Sequence, residues 1–188
     1  MKHTRFWRNP RVLAAGVLIL LLGVFLSFYF MWSRPDTTVI LVRHAEKSDE
    51  PGNNNPNLSA AGIERAQILA QVLSNAGVTN IYATQYSRTQ QTVRPIAENL
   101  GLQVNEIDAR NTDELAKRLK SDRPGGVMLV AGHSNSVPEI ISAIGGEQPP
   151  AIPDREYDNL FVVTVSPWRG TRVLRLKYGS NSSDNAGQ

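Results

Sequence analysis

Two of the three histidines in this 188-residue chain stand directly after apolar runs. Thr38 to Val42 leads into Arg43-His44-Ala45-Glu46, and Val127 to Ala131 leads into Gly132-His133-Ser134-Asn135. Short runs rich in Val and Ile read as buried strands. Ligands of open parallel sheets bind just beyond the carboxyl ends of the strands. Two such ends can therefore bring His44 and His133 to one site. Arg88 follows a third candidate strand, within Thr84-Gln85-Tyr86-Ser87-Arg88-Thr89-Gln90-Gln91-Thr92. Two guanidinium groups and two imidazoles form an anion pocket, and the planar fork of arginine suits phosphate. A helix starting near Ser134 adds backbone N–H groups. Phosphate is the natural ligand of this set. A neutral imidazole nitrogen can attack phosphorus and form a phosphohistidine that water hydrolyses. Its other ring nitrogen must then be held by an acceptor. The arginines and His133 would stabilise charge on the equatorial oxygens. No carboxylate cluster suggests a metal, and this chemistry needs none.

Alternating strands and helices must position these groups. After the first strand, Ser48 to Asn57 reads as a loop, and Asn53-Asn54-Asn55 as its flexible part. Ser59 can cap a helix with Ile63, Ala66, Leu69, Ala70 and Leu73 at helical spacing. Asn80–Thr84 is a strand, 87–99 a helix containing Pro95, and 102–107 a strand. Thr112 to Leu119 is helical, and Val137, Ile140, Ile141 and Ile144 form the stripe of another helix. Leu160 to Val165 and Val173 to Lys177 are strands joined by a turn at 167–170. The expected fold is a three-layer α/β/α sandwich with a mainly parallel sheet, with the last two strands as an antiparallel hairpin on one edge.

Charge divides the chain. Lys2, Arg5, Arg8, Arg11 and Arg34 lie in the first 34 residues without an acid, leaving 15 basic residues against all 17 acids in the remainder. There is no basic stripe with interleaved aromatics, so nucleic acid is not an expected partner. Absence of cysteine excludes disulfides, thiolate metal sites and a cysteine nucleophile. Residues 12–32 carry no charge and suffice to span a bilayer. Phe28, Tyr29, Phe30 and Trp32 gather at one end, and the preceding basic residues place the N-terminus in the cytoplasm. The expected organisation is a basic cytoplasmic tail (1–11), an uncleaved membrane helix (12–32), a linker (33–36), an extracytoplasmic or periplasmic domain (37–178) and a disordered tail (179–188). A cleaved signal and a buried core helix are the alternatives, and bulky aromatics near the helix end argue against cleavage.

The motifs resemble those of the histidine phosphatase superfamily, the phosphoglycerate-mutase-like proteins. Arg43-His44-Ala45-Glu46 is similar to the family's R-H-G/A-E signature. Leu58-Ser59-Ala60-Ala61-Gly62 is similar to L-[ST]-x-x-G, Arg88-Thr89-Gln90-Gln91-Thr92 to a helix start R-x-x-Q-T, and Gly132-His133 to the second histidine motif. The resemblance implies a phosphoglycerate-mutase-like fold, no cofactor, His44 as phosphorylated nucleophile, and Arg43, Arg88 and His133 as ligands of the phosphoryl group. The compact size resembles the branch typified by phosphohistidine phosphatases. Larger members carry a glutamate proton donor after the second arginine. Here Asp108, Asp113 and Glu114 are the candidates, with Glu46, Lys47 and Asn135 as candidate substrate neighbours. The expected activity is metal-independent phosphatase action on a phosphorylated small molecule, glycolipid or phosphoprotein. A mutase or phosphotransferase and a non-catalytic phosphate-binding domain are the alternatives.

Overall fold

The computed structural model describes residues 10–33, 35–121 and 125–182. The basic positions 2, 5, 8 and 34 and the tail from 183 lie outside the described residues. The chain divides into two units, Met1–Pro35 and Asp36–Gln188. In the first, α1 (Pro10–Trp32) is a 23-residue helix without a buried residue. Its length and mean hydropathy of 2.6 suffice to cross a membrane.

The second unit is one six-stranded sheet between two helical layers. Its elements are β1 (Thr37–Arg43), α2 (Ala60–Val72), β2 (Val78–Thr84), α3 (Ser87–Leu100), β3 (Val104–Ile107), α4 (Thr112–Ser121), β4 (Val127–Gly132), α5 (Ser136–Ala143), β5 (Asn159–Ser166) and β6 (Gly170–Lys177). The strand order is β3-β2-β4-β1-β5-β6. The first four run parallel, β5 is antiparallel to β1, and β6 is antiparallel to β5. The mainly parallel sheet with a terminal hairpin is therefore present.

Strand alternation divides the core. Val39 and Leu41 of β1, with Met128 and Val130 of β4, pack with Leu115, Leu119, Val137, Ile140, Ile141 and Ile144 of α4, α5 and the α5 cap. Ile40, Val42, Leu129 and Ala131 face Leu69, Ala70, Val93 and Ile96 of α2 and α3. Each central strand is buried on both faces, which is why it reads as a continuous apolar run.

Three details depart from the sequence-based expectations. Ile63 is exposed, because the buried face of α2 runs through Gly62, Arg65, Ala66, Leu69 and Ala70, and a neighbour of Gly62 is turned about 100° away from it. The loop 48–57 is tied down: Asn55 Oδ1 accepts the Ser87 N–H at 2.8 Å, and Gln91 binds both Leu58 N and Asn57 Oδ1 at 2.8 Å. The start of the expected disordered tail is packed, with Ser182 buried and its Oγ accepting the Tyr157 N–H at 2.9 Å.

Gly62 has a steric reason. A Cβ there would lie 2.1 Å from the carbonyl oxygen of Glu46, which also accepts the Ser59 N–H at 2.9 Å. Ser59 caps α2 by accepting the Gly62 N–H at 3.2 Å. The second motif thus seats α2 directly against the first.

Candidate active site

The register of β1 and β4 builds the site. Arg43 pairs with Gly132, so the next residues, His44 and His133, leave adjacent strand ends side by side. The His44 N–H donates to Gly132 O at 2.9 Å, and the two imidazoles stand 5.4 Å apart edge to face. Arg88 enters from the first turn of α3, just past β2. All four groups line one cavity of about 710 Å³.

Hydrogen bonds fix each imidazole. His44 Nδ1 lies 2.7 Å from Ala45 O. A carbonyl only accepts, so Nδ1 carries the proton and Nε2 keeps its lone pair. The Ala45 N–H in turn donates to Thr92 Oγ1 at 2.9 Å, which explains the threonine that ends the R-x-x-Q-T segment. His133 Nε2 lies 3.0 Å from Thr84 Oγ1. Thr89 Oγ1 gives its hydrogen to the carbonyls of Thr84 and Tyr86, so the Thr84 hydroxyl donates to Thr89 at 2.8 Å. Thr84 then accepts from His133 Nε2–H, and Nδ1 is the free ring nitrogen.

Burial, together with the charges of Arg43 and Arg88, lowers the pKa of His44 to about 3 against the opposing Ala45 hydrogen bond. Burial and the same two arginines lower His133 to about 4. Both rings are neutral in the free protein through mildly acidic pH. Their C–H resonances are expected to show no titration between pH 8 and 5; a midpoint near 6.5 for either would contradict this environment. Because the folded pKa values lie below the unfolded value, the unfolded chain binds more protons as pH falls from about 6.5 toward 3. These histidines therefore cost stability across that window.

Among the described residues, neither Arg43 nor Arg88 forms an ion pair. Arg43 is 6 % exposed, and its Nη1 donates to Pro153 O at 2.7 Å and Glu156 O at 3.3 Å. Its Nε is buried without a partner, an unmet donor that an anion can satisfy. Tyr157 lies over the Arg43 guanidinium at 4.2 Å and Tyr86 over that of Arg88 at 4.4 Å. Each tyrosine also stands beside a histidine, Tyr157 at 5.9 Å from His44 and Tyr86 at 5.3 Å from His133. The two stacks orient the guanidinium groups while leaving their charge for a ligand. Aromatic partners carry no spacing signal, and the sequence did not disclose them.

Other candidates separate. Lys47 and Asn135 line the cavity. Asn135 precedes α5 without a side-chain capping bond, and that helix starts at Ser136 instead of Ser134. Glu46 turns away: both carboxylate oxygens hold Arg65, at 2.7 to 3.0 Å. Asp108, Asp113 and Glu114 do not line the cavity. Asp108 accepts the Arg110 N–H at 2.9 Å, and Glu114 pairs with Arg118 at 2.6 Å. Asp113 sits exposed in the first turn of α4. The carboxylate among the cavity-lining residues is Asp154, in the loop before β5. Only the closure of that loop over β1 reveals it. Among the described residues, no group of three His, Cys, Asp or Glu side chains is placed to hold a metal ion.

Comparison with known proteins agrees with this geometry. Residues 39–111 match the family model of the histidine phosphatase superfamily (branch 1). Over 75 residues the chain is 40% identical to Phosphoserine phosphatase 1 of Hydrogenobacter thermophilus, covering 37% of this chain and 36% of the relative. Over 71 residues it is 37% identical to "Probable phosphoglycerate mutase GpmB" of Yersinia enterocolitica, covering 35% and 33%. The chain thus matches about a third of the length of these curated relatives. The fold is also that of the protein histidine phosphatase SixA complexed with tungstate, with a TM-score of 0.61 and 16% identity over 74% of this chain and 96% of that one. Residues 39–111 thus match a histidine phosphatase superfamily domain, and the sheet that holds them has the fold of that solved structure.

Proposed function

We propose that this protein is a metal-independent phosphatase that works through a phosphohistidine on His44. The observation that carries the proposal is the His44 Nε2 lone pair, fixed by the Nδ1 contact to Ala45 O, inside a cavity that two arginines also line. Arg43 and Arg88 bind the phosphoryl oxygens, and His133 Nδ1, the acceptor of the neutral ring, takes a hydrogen bond from a protonated phosphoryl oxygen. The Nε2 lone pair forms a P–N bond as the P–O bond to the leaving group breaks. The departing oxygen keeps that bond's electron pair and takes a proton from Asp154. Water then attacks phosphorus while giving a proton to the Asp154 carboxylate, the P–N bond breaks and returns its electron pair to Nε2, and inorganic phosphate leaves. Neutral His44 suits the first step, since a protonated ring has no lone pair at Nε2. The names of the relatives support phosphoryl chemistry on a phosphorylated small molecule or phosphoprotein.

One assay tests both the reaction and the role of Asp154. The full chain in detergent micelles, with chelator present, is expected to hydrolyse p-nitrophenyl phosphate and a simple alkyl phosphate. Asp154→Asn should slow the alkyl ester by about 10²-fold or more, the usual contribution of a general acid. The nitrophenyl ester, whose leaving group needs no proton, should slow far less. Loss of all activity on chelation overturns the metal-independent reading, and equal effects on the two esters overturn the assignment of Asp154.

We further propose that α1 anchors the chain in the membrane with the phosphatase domain on the extracytoplasmic side. Support comes from the apolar length of α1 and the basic residues that precede it. Because the chain lacks cysteine, a Lys117→Cys variant carries one thiol at an exposed position. A membrane-impermeant maleimide should label it from outside intact cells; labelling only after lysis would reverse the topology.

A further inference from the structure

Among the described residues of the globular unit, the large apolar side chains left exposed are Ile63, Val72, Trp168, Leu174 and Leu176. Three of these belong to the β5–β6 hairpin, and Val72 of α2 lines the same groove as Leu176. Strand pairing explains the exposure. One row across the sheet runs Ile40, Val162, Leu174, and the next runs Val42, Leu160, Leu176. Ile40 and Val42 pack with side chains of α2 and α3. Helical cover gives out toward the sheet edge. Val162 is half-buried, and Leu174 and Leu176 are 55 % and 44 % exposed. An apolar patch of this kind marks an interaction surface.

The segment leading into β1 meets this face. Asp36 accepts a hydrogen bond from Arg169 Nη2 at 3.0 Å, and both residues line a second groove with Val162 and Leu174. Residues 33–36 are all that join α1 to β1. With α1 anchored, so short a tether holds the bilayer at about millimolar effective concentration, and a weak docking surface suffices.

The composition of the face fits lipid. Trp168 is exposed at the hairpin turn, and an indole favours the membrane interface. The two grooves are lined by three cations, Arg169, Arg172 and Lys177, against one acid, Asp36. Asp36 pairs with Arg169, and Lys177 pairs with Asp158 at 2.7 Å. Among the described residues Arg172 forms no ion pair. Cations beside apolar groups attract anionic headgroups. A second copy fits less well, because β6 carries Arg172, Arg175 and Lys177 along the open edge of the sheet, where like charges repel another copy.

Resting on the membrane-anchor reading of α1, we propose that the apolar face of the β5–β6 hairpin, with Trp168 and Arg172 at its rim, docks on the anionic bilayer that holds α1. Docking holds the domain in one orientation, with the phosphatase cavity about 20 Å along β1 from its tethered end.

The test uses the full chain reconstituted in phosphatidylcholine vesicles with and without phosphatidylglycerol. A nitrobenzoxadiazole fluorophore is placed on Leu174→Cys or, as control, on Lys117→Cys of α4, which packs on the other face of the sheet. With phosphatidylglycerol present, doxyl-labelled lipid should quench the Leu174 position at least about two-fold more than the Lys117 position. Adding Trp168→Ala/Arg172→Glu should remove that difference, and an unchanged Tm verifies folding. Quenching equal at the two positions, unchanged when phosphatidylglycerol is left out, or retained in the Trp168→Ala/Arg172→Glu background overturns the proposal. Blue-shifted emission at Leu174 without quenching means that protein covers the face, and overturns it too. Carbonate extraction reads the anchor separately: release of the full chain from the vesicles at alkaline pH overturns the anchor reading, while the quenching at neutral pH decides the face in either case.

Discussion

Replacing His44 by glutamine is expected to lower kcat by about 10⁴-fold or more, the scale seen when a nucleophile is removed from a coupled catalytic set. The effect follows from the proposed bond changes, because His44 Nε2 is the nitrogen that forms the P–N bond. His133 has the other tautomer, with Nε2–H committed to Thr84, and His133→Gln should leave a slower enzyme that still forms the covalent intermediate. Glutamine is chosen because its amide can keep a bond to Ala45 O in a position only 4 % exposed. Radiolabel from a ³²P-phosphorylated substrate should remain on the native chain after alkaline quenching and be lost in acid, as befits a phosphoramidate. Turnover by His44→Gln within ten-fold of native, or label retained by that variant, would falsify the assignment.

Arg65→Ala should destabilise the globular unit by about 3–5 kcal/mol, the cost of removing one partner from a buried ion pair. Arg65 is 3 % exposed. Besides Glu46 it holds the carbonyls of Tyr178 and Ser180, at 2.9 and 3.0 Å. Its loss leaves a carboxylate and two carbonyls short of donors. For a unit of this size that corresponds to a fall in Tm on the order of 10 °C. The double variant Glu46→Leu/Arg65→Met should recover much of the loss, since replacing both partners by apolar groups removes the stranded charge. A fall below about 2 °C in the single variant would show that the pair contributes little. Glu46 sits two residues from His44, so the single variant should also lose activity before it unfolds.

Elements and chemistry were legible to different depths. The two histidine strands and the terminal hairpin could be read because full burial leaves uninterrupted apolar runs, and hairpins carry turn signals. The clustering of Arg43, His44, Arg88 and His133 could be read because strand ends in a parallel sheet share one edge. Register is different in kind. Nothing local specifies that Arg43 lies opposite Gly132. Side-chain destinations set by long-range contacts were equally hidden. Glu46 was grouped with the site by sequence adjacency, yet Arg65 draws it the other way. Asp108, Asp113 and Glu114 were chosen by composition, and their own turns and helix engage or expose them. Asp154 and the two tyrosines carry no motif, and only the packing of the loop before β5 brings Asp154 and Tyr157 over β1.

The placement of β4 also bears on how the molecule is made. β4 is the last of the four parallel strands to be synthesised, and it inserts between the first two. Until it arrives, β1 and β2 have no partner between them, and each leaves a row of backbone donors and acceptors open to other chains. Pairings so distant in sequence are slow to form, and unfinished sheets are prone to aggregate. His133 follows β4 directly, so the same step that closes the sheet completes the pair of imidazoles. Phosphate can then bind only a finished sheet, and mass action favours that state over its unfinished precursors.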